Sequence, residues 1–162
     1  MYFDLLNDKQ KDYAEKRLIK ALEDFDWRVG TGFLSTPLIL YVLQQIDLEY
    51  AYKLLENEKK PGWLYMSLTG ATSIWEDWDG PTSDNGVGGG IASLNHYSKG
   101  AVCEWVFGEM CGVKVDGENH FVIAPHPGGN FKYEISIPSN TTAEIRLQNN
   151  ESKYVDSGRY NM

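Results

Sequence analysis

The chain has 162 residues, 42% hydrophobic and 13% aromatic, enough for one ordinary domain or two small ones with a real core. Its formal net charge of -8 excludes the basic surface that a nucleic-acid partner needs to neutralise phosphates. No apolar run reaches the ~18 residues of a membrane span, so no membrane partner is expected.

The first eight residues, Met-Tyr-Phe-Asp-Leu-Leu-Asn-Asp, lack the basic and apolar regions of a secretory leader. Tyr2, Phe3, Leu5 and Leu6 read instead as the tail of an apolar helix that starts upstream. Residues 8–25 then form an amphipathic helix: Asp8 can cap it, and Ala14, Leu18, Leu22 and Phe25 recur at helical spacing. After a Gly-bearing link, Thr36 caps a second helix with Pro37 at its first position. Leu38, Ile39, Leu40, Val42 and Leu43 make that helix apolar nearly all round, so burial on most sides is expected. Asp47 caps a short third helix with Ala51, Leu54 and Leu55, ending near Lys59 and Lys60, where cations suit the helix dipole.

From Gly62 to Ser93 no long helical period appears. The segment holds Gly70-Ala-Thr-Ser-Ile-Trp-Glu-Asp-Trp-Asp-Gly80, in which one carboxylate, Glu76, stands between the indoles of Trp75 and Trp78. Hydrolysis of a glycosidic bond needs both a carboxylate for proton transfer and flat apolar faces for the sugar's C–H groups. Two core tryptophans beside a local ion pair would give the same letters. A Gly-rich loop follows, residues 79–90, with no strand–loop–helix frame for a phosphate, and Asp84 on it reads as a turn residue.

Asn95–Gly112 reads as a fourth helix, with Ala101, Val102, Trp105, Val106 and Met110 on its apolar face. Glu104 and Glu109 fall on its polar side, and Gly112 stops it. One such helix would hold Cys103 and Cys111 about 12 Å apart, too far for a disulfide. Two free, buried thiols and the missing leader favour a cytoplasmic setting. The period then changes to alternation over His120–Ala124, Phe131–Pro138, Thr142–Leu147 and Lys153–Tyr160, four short strands separated by turns. His120 and His126 lack a third ligand at convincing spacing, so no metal and no cofactor is expected.

Several of these segments agree with one family. Thr31-Gly-Phe-Leu-Ser-Thr-Pro37, Trp63-Leu-Tyr-Met66, the Gly70–Gly80 stretch and Asn95-His-Tyr-Ser-Lys-Gly-Ala101 resemble the bacterial α-L-rhamnosidases, in that family's order and spacing. Gly128 and Ile137-Pro-Ser-Asn-Thr-Thr-Ala143 resemble its C-terminal β-domain. The resemblance implies an α+β chain: two α-helical hairpins of an incomplete six-hairpin α/α toroid, residues 1–113, followed by a small antiparallel β-sheet, a shortened β-sandwich, residues 114–162.

It also implies inverting hydrolysis of L-rhamnose-containing glycosides by two carboxyl groups. Glu76 is then the general base, His96 a contact to rhamnose hydroxyls, and Trp75, Trp78 and Tyr65 wall residues. The family's general acid lies on an earlier hairpin that no segment here resembles, and Asp77 stands where an Arg is common. The expected function is therefore the C-terminal portion of an α-L-rhamnosidase-like glycoside hydrolase, with a base but no acid. The alternatives are a non-catalytic remnant or carbohydrate-binding domain, and a toroid glycosidase for another sugar. Hairpins cut from a ring would expose apolar flanks, so self-association or a partner fragment with the missing hairpins is expected.

Overall fold

The computed structural model describes residues 1–80, 92–128, 132–147 and 151–161. The chain divides into two compact units, Met1–Val102 and Cys103–Met162. Among the described residues no helix is long and apolar enough to cross a membrane.

The first unit is helical. Helix α1 spans Asp8–Asp24, but its cap is Asn7 rather than Asp8. The Asn7 side chain accepts from the Gln10 amide (3.0 Å) while the Gln10 side chain accepts from the Asn7 amide (3.1 Å). This reciprocal box satisfies two otherwise orphaned donors, and Gln10 decides the matter, since Asp8 has no partner of that kind three residues on. Asn7→Ala is expected to cost about 1 kcal/mol. A denaturant titration against the unaltered chain measures it, and no change in midpoint would contradict the cap.

Helix α2 spans Thr36–Ile46 with Pro37 in its first turn, capped at Ser35 without a side-chain bond. Thr36, expected as the cap, is instead buried inside the helix. Its hydroxyl donates to the Gly32 carbonyl at 2.9 Å and meets the Thr31 hydroxyl at 2.8 Å. Ile39, Leu40 and Leu43 form the buried stripe. Leu38 and Val42 turn the other way, onto an apolar groove of about 370 Å³ shared with Tyr2, Phe3, Leu5, Leu6 and Leu18. That groove explains a helix apolar on all sides. Asp47 caps α3 (Leu48–Leu55), accepting from the Glu49 amide at 3.0 Å. Helices α2 and α3 pack as a hairpin around Leu40, Leu43, Ala51 and Leu54.

Two short helices follow among the described residues of this unit: α4 (Trp63–Leu68) and α5 (Tyr97–Gly100). The fourth helix expected over 95–112 is thus broken. It consists of α5, then α6 (Val102–Trp105), then a π-helical turn over Val106–Met110. Within the second unit the turn closes on Gly112, whose φ of +68° lies in the left-handed region. Tyr133 donates to the Cys111 carbonyl at 2.7 Å, satisfying an acceptor that the widened turn leaves open.

The second unit carries β1 (Val113–Val115), β2 (His120–Ile123), β3 (Glu134–Ile137), β4 (Thr142–Arg146), β5 (Ser152–Val155) and β6 (Gly158–Asn161). These form a four-stranded sheet in the order β1-β2-β4-β5 and a two-stranded β3-β6 sheet. The mixed helix-and-sheet class expected from the sequence is present. The sheet itself departs from the expectation, because β2 and β4 pair in parallel. The chain leaves β2, contributes β3 to the other sheet, and returns beside β2. Such an excursion allows parallel pairing, which a tight hairpin cannot make. Alternation places Ile123, Ala143, Ile145 and Val155 of one sheet and Ile135 and Ile137 of the other in a common core.

Candidate functional site

The site is assembled in the first unit by two segments that run beside each other. Gly70, at φ +85°, releases the chain from α4 into the irregular stretch that ends at Gly80. The Glu76 amide donates to the Ser93 carbonyl and the His96 amide to the Ile74 carbonyl, both at 2.8 Å. The Ser93 amide in turn donates to Glu76 Oε2 at 2.7 Å. Residues 73–76 and 93–96, separated by a long span of sequence, are thereby held together. The glycine cluster and Asp84 between them lie outside the described residues.

Glu76 is exposed, and one of its carboxylate oxygens is fixed by that N–H. Trp75 is half-buried, its six-membered ring lying where a Gly80 Cβ would stand. Gly80 also has φ +69°, so both sterics and backbone select glycine there. Trp78 is held from several directions. Its indole N–H donates to the Thr31 carbonyl at 2.7 Å, and its ring meets Trp63 edge to face at 5.4 Å. The Lys99 ammonium lies 4.1 Å from its centroid.

Lys99 is the residue that sequence reasoning passed over. It is only 6% exposed, and its carbonyl accepts from the Trp63 indole at 3.0 Å. Burial lowers its pKa below the ordinary lysine value, opposed first by attraction to Asp77 and then to Glu76. The available signal was its setting: a lysine between Ser98 and Gly100, with no acidic residue at helical spacing to pair with.

His96 stands at the start of α5, its ring stacked on Tyr97 (5.5 Å, 8° between planes) and edge-on to Phe33 at 6.4 Å. Its Nδ1 is buried and has no hydrogen-bond partner among the described residues. Phe33 is itself half exposed, so the Thr31–Phe33 loop contributes both a carbonyl under Trp78 and a ring beside His96. Tyr65 sits on α4 two positions after Trp63, half-buried. The structure therefore joins Glu76 and His96 by one backbone strip and ties Trp78 to Lys99.

Residues 1–110 match the model of the bacterial α-L-rhamnosidase six-hairpin glycosidase domain. The chain belongs to the bacterial α-L-rhamnosidase family. An α-L-rhamnosidase of Formosa agariphila is 34% identical over 189 aligned positions, covering 98% of this chain and 20% of that protein. One of Streptomyces avermitilis is 33% identical over 170, covering 87% and 16%. The crystal structure of native α-L-rhamnosidase from Aspergillus terreus superposes with a TM-score of 0.76 at 28% identity, covering 99% of this chain and 22% of that one. The Streptomyces avermitilis α-L-rhamnosidase complexed with L-rhamnose gives 0.74 at 29%, covering 98% and 20%. This rhamnosidase-family chain thus spans about a fifth of the length of those relatives.

The remaining candidates of the rhamnosidase-family chain lie in its second unit. His120 Nδ1 meets the Thr142 hydroxyl at 2.7 Å and its ring stacks on Tyr154. His126 Nδ1 is 3.4 Å from Glu109, which also binds Lys114 at 3.0 Å. Glu109 is thus largely enclosed rather than displayed on a polar helix face, because the π turn re-aims it. Among the described residues no three His, Cys, Asp or Glu side chains gather as a metal site. Cys103 and Cys111 are free, and Cys103 is exposed where burial was expected.

Proposed function

We propose that this chain supplies the general base of an inverting α-L-rhamnosidase, with Glu76 in that role. The observation that carries the reading is the Glu76 carboxylate: held by the Ser93 amide through Oε2, yet exposed toward solvent. A carboxylate so placed can take a proton from water as the water oxygen bonds to the anomeric carbon. The bond from that carbon to the aglycone oxygen breaks, and that oxygen takes its proton from an acid on the opposite face. His96, with an unpartnered buried Nδ1, supports a role as a hydroxyl contact. Trp75 and Tyr65 are the readier wall residues. Trp78 is the less available one, since Lys99, Trp63 and Thr31 already occupy it.

The acid, in this reading, comes from hairpins outside the matched motifs, and the apolar groove along α2 is where such hairpins would pack. By themselves the 162 residues are expected to turn over an aryl α-L-rhamnoside at least about 10²-fold more slowly than a complete site, the usual loss when a general acid is missing. The decisive experiment is a chimera in which this chain replaces the matching segment of the Streptomyces avermitilis relative. The chimera should release the inverted anomer of rhamnose, seen by proton NMR, and leave aryl glucosides and glucuronides intact. A first product of retained configuration would defeat the base assignment, and preference for another glycoside would defeat the substrate assignment.

A further inference from the structure

A buried lysine in a site whose named chemistry needs only carboxylates, an imidazole and aromatic faces calls for an explanation. Taking an ammonium out of water is costly unless other charges or hydrogen bonds compensate. Lys99 has no hydrogen bond from its ammonium among the described residues. Its compensation is the Trp78 ring face and the negative charges of Asp77 and Glu76. Asp79, the next carboxylate along, is occupied by Lys60 at 3.5 Å. The ring that the Lys99 ammonium touches, Trp78, and the charges that attract it, Asp77 and then Glu76, belong to one run of sequence, residues 76–78.

We propose that Lys99 is a positioning residue for Glu76: its buried cation clamps the 76–78 segment and so holds the Glu76 carboxylate on the Ser93 amide. The clamp has two ends. The Lys99 carbonyl takes the Trp63 N–H, and its ammonium lies on Trp78, which meets Trp63 edge to face. The backbone of α5 and the indole pair therefore move as one piece. Without the positive charge, the repulsion between the adjacent carboxylates Glu76 and Asp77 loses the attraction that offsets it. The Glu76 side chain is then free to leave the Ser93 amide, while the backbone bond from Glu76 to the Ser93 carbonyl is untouched.

That pair of bonds supplies the test, which uses the whole chain and needs no activity. In Lys99→Met, exchange of the Ser93 amide hydrogen near neutral pH should accelerate about tenfold, the loss of one hydrogen bond to a charged acceptor. The Glu76 amide should exchange as before. Lys99→Arg keeps the charge and should keep Ser93 protected. Equal protection of Ser93 in the unaltered chain and the Met variant would overturn the proposal, and so would equal loss in the Met and Arg variants.

If the Met variant fails to fold, the contact is read in the unaltered chain by a pH titration of tryptophan fluorescence. A step below the ordinary lysine range, absent in Lys99→Arg, is expected as the ammonium against Trp78 loses its proton. No such difference would overturn the proposal. The catalytic meaning of the clamp rests on Glu76 being the base. These readouts do not, so the clamp and the base assignment can fail separately.

Discussion

Glu76→Gln in the chimera is expected to lower kcat for an aryl α-L-rhamnoside by about 10²–10⁴-fold, the range that positioned proton transfer contributes. Glutamine keeps the length of the side chain and offers an amide oxygen to the Ser93 amide, so the strip joining residues 73–76 to 93–96 should persist. What it loses is the ability to accept a proton. KM should change little, because the sugar contacts proposed for His96, Trp75 and Tyr65 are left in place. Unchanged kcat in a folded Gln variant would remove Glu76 from the reaction. A large rise in KM with kcat intact would make it a binding group instead.

Gly112→Ala should be the most destabilising single-methyl change in the second unit, costing on the order of 3 kcal/mol or more. The added Cβ would fall on the Ala124 carbonyl and the Pro125 nitrogen, which are backbone atoms without the freedom of a side-chain tip. The Ala124 amide also donates to the Gly112 carbonyl at 2.8 Å, so relief would break the contact that joins the π turn to the end of β2. Gly112 has φ +68° as well, a conformation that alanine adopts only with strain. Gly117 is the control: φ is +119°, yet nothing lies within 4 Å of its added Cβ, so alanine there meets only the backbone cost. Urea or thermal unfolding would compare the two. Equal midpoints would show that the approach to Ala124 yields easily.

Much of this could be read from the residues. The first three helices, the Asp47 cap and the strands around Phe121, Ile135 and Ile145 follow from period and composition, because each buries a face that its pattern declares. Helix α4 could not be read that way: six residues make less than two turns, too few for a period to repeat. The break after Gly100 was equally hidden, since the apolar residues of 101–110 fit one continuous helix. At the C-terminal end, Lys153–Tyr160 alternates like a single strand but serves two sheets, with β5 pairing to β4 and β6 to β3. Alternation reports which way side chains point and says nothing about which neighbour a strand chooses.

The site divides along the same line. Glu76 and His96 can be singled out as candidates because their motifs are compact and ordered in the sequence. The bonds that bring them together span the loop between them, and no local pattern encodes such pairing. Lys99 was obscure because a lysine in a helical segment ordinarily faces water. Its burial arises from Trp63 and Trp78, both distant in sequence.

The parallel seam between β2 and β4 bears on the order of assembly. Hairpins β1–β2 and β4–β5 each close a short loop, whereas the seam pairs His120 with Thr142, 22 residues apart, around the β3 excursion. Local pairings form sooner than distant ones, because less chain entropy must be lost to close them. The two hairpins are therefore expected to form first, each with an edge that only the seam will pair, β2 carrying Phe121 and Ile123 or β4 carrying Ala143 and Ile145. Until the seam zips, those edges are free to pair with another copy of the chain, so refolding yield should fall as concentration rises.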